Sequence, residues 1–188
     1  MANKNGLILL TPSSVDKTGT GSTATINTNG SVTFATCTAL SLNGIFTSTY
    51  DNYMIVCRVS HDTTTANYVI NSRLRTSGTD ATGATDYNTQ TMIASSTSIT
   101  ADKTTADGFW KTSRLVDSPN WGGFIVNLYG PFLSQPTAFR SISADTSSDA
   151  SIYDAAGTHE LSTSYDGITI YPTGVSLSGL VCAYGMRN

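Results

Sequence analysis

Charge is scarce in this chain: Asp, Glu, Lys and Arg fill 12% of its 188 residues, about half the share of an ordinary soluble domain. Glutamate occurs once, at Glu160, and lysine only at Lys4, Lys17, Lys103 and Lys111. The residues that build stable solvent-facing helices are therefore nearly missing, which argues against a helical fold. Long apolar runs are missing too, so no membrane span is expected. The run Leu7-Ile8-Leu9-Leu10 is shorter than the apolar stretch of a secretion signal and meets Thr11-Pro12-Ser13-Ser14 at once, so no export signal is expected either. The ten Lys and Arg are scattered, and a net charge of −3 supplies no basic field for phosphate. Nucleic acid is accordingly not an expected partner.

Cysteine is limited to Cys37, Cys57 and Cys182, an odd number with no C-x-x-C pair. Each lies in an apolar, strand-like run, so they read as small reduced core residues, with a Cys37–Cys57 or Cys57–Cys182 bridge as the alternative. Groups for catalysis are equally few. The two histidines, His61 and His159, are expected on the surface or in loops. In a strand, His159 and Glu160 would point to opposite faces and could not act on one atom. Gly174-Val-Ser-Leu-Ser178 lacks the final Gly of a nucleophile elbow, and no phosphate loop or H-E-x-x-H motif occurs. A protein without enzymatic activity, metal or cofactor is the expectation.

What the chain has in quantity is hydroxyl: Ser and Thr fill roughly 30% of it. It also has alternation. Thr23–Thr28 and Ser31–Thr36 alternate around Asn29-Gly30, the dipeptide that best supplies positive φ, which predicts a β-hairpin. Tyr53–Val59 is apolar almost throughout, as in a strand covered on both faces. Tyr68–Arg75 places Tyr68, Ile70 and Leu74 on one face and Asn71, Arg73 and Arg75 on the other. Further strands are predicted at 90–95, 108–116, 122–129, 138–144, 167–171 and 179–187, each bounded by turn residues. The best helical candidate, Ile152–Gly157, is too short to be stable alone.

This pattern predicts an all-β fold, an antiparallel two-sheet sandwich of jelly-roll-like type spanning residues 23–188 as one domain. Residues 1–22, with three glycines, a proline and many hydroxyls, read as an extended N-terminal arm. The segment 76–88 is read as a long loop. The aspartates of 80–86 and 145–149 could offer oxygen ligands to Ca²⁺, but Asp is also the common turn residue of β proteins, and turn chemistry is preferred. Trp110 and Trp121 could stack on a sugar ring; beside predicted strands, a core or inter-subunit role is favoured.

Leu40-Ser-Leu-Asn-Gly-Ile-Phe46, Tyr50-Asp-Asn-Tyr-Met-Ile-Val56, Ser72-Arg-Leu-Arg-Thr-Ser-Gly78 with Tyr87 and Gln90, and Ser178-Gly179 leading to Tyr184-Gly-Met-Arg187 together resemble small β-sandwich virion proteins of tailed bacteriophages, the cyanophage and marine-phage type. The resemblance spans most of residues 38–188. It implies a virion structural protein assembled in the host bacterial cytoplasm, without catalytic residues to carry over. On this basis the chain is expected to be a head decoration or cement protein stabilising the capsid, with itself, as a homotrimer, and the major capsid protein or other virion proteins as partners. Leu7, Ile8, Leu9 and Leu10 of the arm are candidate assembly contacts. The alternative is a tail-fibre or receptor-binding adhesin that recognises host surface glycan through 76–88, 100–108 and 145–158, with Trp110 and Trp121 as candidate sugar contacts. Low charge suits a permanent assembly in sea water, because salt screens exposed ion pairs far more than apolar contacts.

Overall fold

The computed structural model describes residues 6–62, 68–115, 121–145 and 151–186. Its strands are β1 (Leu7–Leu10), β2 (Ser14–Thr18), β3 (Thr23–Ile26), β4 (Val32–Cys37), β5 (Ala39–Asn43), β6 (Asn52–His61), β7 (Tyr68–Thr76) and β8 (Thr79–Asp80). They continue with β9 (Tyr87–Ser95), β10 (Ser98–Asp107), β11 (Trp110–Leu115), β12 (Gly122–Tyr129), β13 (Thr137–Asp145), β14 (Ile152–His159), β15 (Gly167–Pro172) and β16 (Leu177–Met186). No helix occurs among the described residues, and none is therefore long and apolar enough to cross a membrane.

The strands form two antiparallel sheets packed as a sandwich. The larger has ten strands in the order β10-β9-β14-β13-β12-β6-β16-β4-β3, with β1 also on β16. The smaller has six, in the order β11-β7-β15-β5-β2, with β8 on β7. From β5 onward the chain passes repeatedly from sheet to sheet, and inward residues of both meet in one core that includes Phe34, Tyr53, Ile70, Leu74, Trp110 and Ile168. Fully burying side chains of this size is worth about 1.5–3 kcal/mol each, which holds the layers together. Two inward hydroxyls reinforce it: Ser141 of the larger sheet donates to the Thr112 carbonyl of the smaller, and Thr112 itself donates to the Ile70 carbonyl at 3.0 Å.

The hairpin predicted at 23–36 is present, but its loop is longer than a two-residue turn. Ile26 pairs with Val32, and Gly30, at φ 92°, donates to the Asn27 carbonyl at 2.9 Å. That is the three-residue hairpin geometry, in which a left-handed residue closes the turn. The Phe46-x-x-x-Tyr50-Asp-Asn-Tyr53 segment builds a corner. Tyr53 Oη accepts from the Thr47 N–H at 2.7 Å and can donate to the Thr47 or Tyr50 carbonyl, while its ring packs edge-on against Phe46.

Three expectations are corrected. The arm expected at 1–22 is instead part of the sandwich from residue 7 onward: Leu7 pairs with Met186 through to Leu10 with Ala183, and Ser14–Thr18 pairs with β5. The reason is that β4 covers only the first half of β16, and the open edge beyond it recruits β1. The segments 100–108 and 145–158, expected as loops, hold strands β10 and β14. β10 is an edge strand exposed along nearly all its length, so it needs no apolar face that a sequence pattern could reveal. His61 and His159, expected in surface positions, are 4% and 0% exposed.

Candidate functional site on the outer face of the larger sheet

The two outer faces of the sandwich differ in kind. On the smaller sheet, Asp16, Ser41, Thr169 and Arg73 lie in one cross-strand row, with Arg75 beside it. Ser41 and Thr169 share a hydrogen bond of 2.8 Å, and Thr169 donates to Asp80 at 2.6 Å. Arg75 reaches Thr169 at 2.9 Å, Asp16 at 3.3 Å and Asp80 at 3.4 Å, and also donates to the Gly78 carbonyl. Arg73 donates to the Gly108 carbonyl at 2.9 Å and lies 4.8 Å over the Tyr171 ring. Burial pushes the Tyr171 hydroxyl up to about 12, against the pull of Arg73. Asn71, Arg73 and Arg75 thus occupy the face the sequence assigns them, yet Asn71 and Arg75 are buried by their partners there. This network ties β2, β5, β7, β8 and β15 together. Its hydroxyls, Ser41 and Thr169, bond to each other, and Thr169 also meets Asp80 and Arg75.

The outer face of the larger sheet carries two adjoining rows rich in apolar side chains, beside a more polar row of Tyr184, Met54, Asn127, Arg140, Ala156, Gln90 and Lys103. Register places Cys182, Val56, Ile125, Ile142, Asp154, Met92 and Ala101 in one row. The row beside it runs Leu180, Arg58, Gly123, Ala144, Ile152, Ala94 and Ile99. Of the eleven large exposed hydrophobic side chains among the described residues, nine lie on this face: Leu7, Met92, Ile99, Trp121, Ile125, Tyr129, Ile142, Ile152 and Leu180. Only Leu133 and Leu161 sit elsewhere, in loops. An antiparallel sheet normally has one face on the core and one polar face in water, so apolar rows on the second face mark an interaction surface.

Register puts Arg58, Lys103, Arg140 and Asp154 on this face. Arg140 meets Asp154 at 2.7 Å, and the carboxylate holds the guanidinium firmly charged. Arg58 stacks 4.0 Å over the Trp121 ring. Because Gly123 and Ala144 have little or no side chain, a groove of about 460 Å³ opens beside Val56, Ile125 and Ile142. A side chain cannot be added freely at its base, since a Cβ on Gly123 would lie 3.2 Å from the Cys57 carbonyl.

The candidate contacts read from the sequence divide. Leu7 and Leu9 flank Met186 and Tyr184 at the margin of this face, whereas Leu10 packs on the core and Ile8 pairs with buried Gly185. Trp121 lies on the face. Trp110 does not: it is fully buried, as the favoured core reading has it, and so is not a surface or sugar contact. The isoleucines and Met92 that dominate the face were not singled out in advance. One signal was available: Tyr53–Val59 reads as a strand covered on both faces, yet among the described residues only the inner face is covered, and Met54 and Val56 line the outer one.

The cysteines are free; Cys37 and Cys57 are buried and Cys182 half-buried. Desolvation drives the Cys57 thiol well up, and Cys57 faces the core while Cys182 faces outward, so adjacency of their strands brings no bridge. Among the described residues, no three His, Cys, Asp or Glu side chains gather as a metal site. Asp80 is engaged with Arg75 and Thr169, and 146–150 of the other aspartate-rich segment lie outside the described residues.

No protein-family model and no curated protein matches the chain by sequence. Among solved structures, the chain is similar to the conserved carbohydrate esterase vb_24B_21 from Shiga toxin-encoding bacteriophage phi24B, with 12% identity and a TM-score of 0.42 over 97% of this chain and 100% of that one. That neighbour, a phage protein, is an enzyme. The expectation of a chain without enzymatic activity is corrected on this finding and forms no part of the reading below.

Proposed function

We propose that this chain is a structural protein of a tailed-bacteriophage virion, a head decoration or cement protein that docks by the outer face of its larger sheet. The observation that carries the reading is the sidedness of the sandwich: one outer face holds a hydroxyl and ion-pair network, and the other holds nine of the eleven large exposed hydrophobics among the described residues. A subunit built this way lies on a surface by its apolar side and turns its polar side to water. The resemblance of Phe46–Tyr53, Ser72–Gly78 and the C-terminal strand to phage virion proteins supplies the setting. Contacts between apolar side chains lose little at about 1 M salt, where the screening length is about 3 Å, which suits a particle in sea water.

The adhesin reading is weakened by the burial of Trp110 and by the strands that fill 100–107 and 152–159, two of the segments that would have offered sugar contacts. The test is labelling of purified particles with an antibody against this chain, paired with copy number by quantitative mass spectrometry. Label over the head with copies in the hundreds is the expected result. Label confined to the tail overturns the decoration role, and absence from particles overturns the virion role.

A further inference from the structure

On the outer face of the smaller sheet, opposite the docking face, we infer that a cavity floored by Arg75 binds a neutral saccharide. The inference rests on its own geometry and goes beyond the docking role. The cavity, of about 460 Å³, opens where β2, β5, β7, β8 and β15 meet, and its size is that of pockets that hold a small ligand. Ser41, Thr169 and Arg75 are 5%, 3% and 5% exposed there, held by the hydrogen bonds that join β5, β7 and β15. Arg75 has a donor to spare: its Nε–H is buried and finds no acceptor among the described residues. A buried donor without an acceptor is costly, and an entering oxygen supplies what it lacks. At the rim, the Asp16 side chain is 61% exposed. Its bonds from Arg75 and Asn43 both use Oδ2, which leaves Oδ1 for an incoming donor. Thr79 and Thr82 add exposed hydroxyls.

Two features select the ligand. The first is the mixture of donors and acceptors. A guanidinium beside carboxylates offers N–H groups and oxygens within reach of one molecule, and each hydroxyl of a sugar both donates and accepts. The second is charge. Two carboxylates, Asp16 and Asp80, surround one guanidinium, so the cavity repels phosphate, sulfate and acidic sugars, while the guanidinium fills the place a bound cation would take. With no aromatic ring among its described lining residues, the cavity lacks a stacking platform, and a Kd of about 1 mM is expected. The segment 76–88, read from the sequence as one of three routes to glycan, contributes Gly78, Thr79, Asp80 and Thr82. A chain docked by its larger sheet turns this cavity outward.

The experiment is two-dimensional amide NMR of the full chain titrated with glucose, galactose, mannose and N-acetylglucosamine to about 20 mM, with glucuronate and inorganic phosphate in parallel. At least one neutral sugar is expected to shift the amides of Arg75–Thr82 and Thr169 saturably, and glucuronate and phosphate to bind at least ~10-fold more weakly. Asp16→Ala, at an exposed side chain, is expected to keep the wild-type pattern of amide signals and to weaken that sugar ~10-fold. Ile142→Lys, on the opposite face, is expected to bind the sugar as wild type does. The inference is overturned by the lack of a saturable shift with every neutral sugar, by shifts away from this cavity, by an acidic ligand bound as tightly as the neutral ones, or by Asp16→Ala binding as tightly as wild type. Particle labelling decides the docking role separately. A chain that binds sugar but is absent from particles ends the virion role alone, and a chain that decorates heads but binds no neutral sugar ends this inference alone.

Discussion

The Trp110 indole N–H, on the smaller sheet, donates to the Thr158 carbonyl of the larger sheet at 3.0 Å. The Trp110 ring lies 4.6 Å from Phe139 and 5.2 Å from Tyr87, so one side chain gives the sandwich both an inter-sheet hydrogen bond and the centre of an aromatic cluster. Trp110→Ala is expected to cost about 3–5 kcal/mol, by lost burial and a large cavity. Trp121→Ala, at a side chain 37% exposed that stacks on Arg58 at the surface, should cost less, about 1 kcal/mol. Urea denaturation of the two variants checks the contrast; equal losses would contradict the assignment of Trp110 to the core.

Arg75 sits between two carboxylates of unequal exposure: the Asp80 side chain is 23% exposed and that of Asp16 is 61%. Removing Asp80 leaves a buried guanidinium with one solvent-screened partner, so Asp80→Ala is expected to destabilise by about 3 kcal/mol. Asp16→Ala removes the screened partner only and should cost under about 1 kcal/mol. The order of the two urea midpoints is the measurement, and Asp16 as the costlier loss would refute the ranking.

His159 is packed among Tyr87, Trp110 and Tyr165. Burial holds it below the ordinary histidine value of about 6.5, although Asp86 and Glu160 pull the other way. The unfolded chain takes up a proton near pH 6.5 that the folded chain refuses. Stability from the neutral His159 is therefore complete above that pH and declines as pH falls below it. Melting temperatures between pH 7.5 and pH 5 should fall for wild type and fall less for His159→Gln, even though the variant is less stable throughout. Parallel slopes would rule out His159 as the source.

Removal of residues 1–10 takes away β1, with Leu10 from the core margin and the covering strand from the second half of β16. A loss of about 2 kcal/mol is expected from burial alone, together with aggregation from the exposed edge. Thermal unfolding and light scattering of the truncated chain check both. A truncated chain as stable and monodisperse as the full one would restore the reading of this segment as a free arm.

The sequence alone determined the fold class and most of the strands. Scarce helix formers, alternating runs such as Tyr68–Arg75, and Asn29-Gly30 are local properties, and local chemistry decides whether a segment is extended. The edge and partner relations were decided by tertiary structure. β10 and β14 carry weak patterns because one is an edge and the other shows apolar side chains on both faces. Residues 7–10 look like a loose arm until the open edge of β16 is known. Arg75 looks solvent-facing until Asp16 and Asp80, far apart in the chain, meet around it. The apolar rows of the outer face belong to this second group. Ile125, Ile142, Ile152 and Met92 come from four different strands, and only the register of the larger sheet lines them up on one surface.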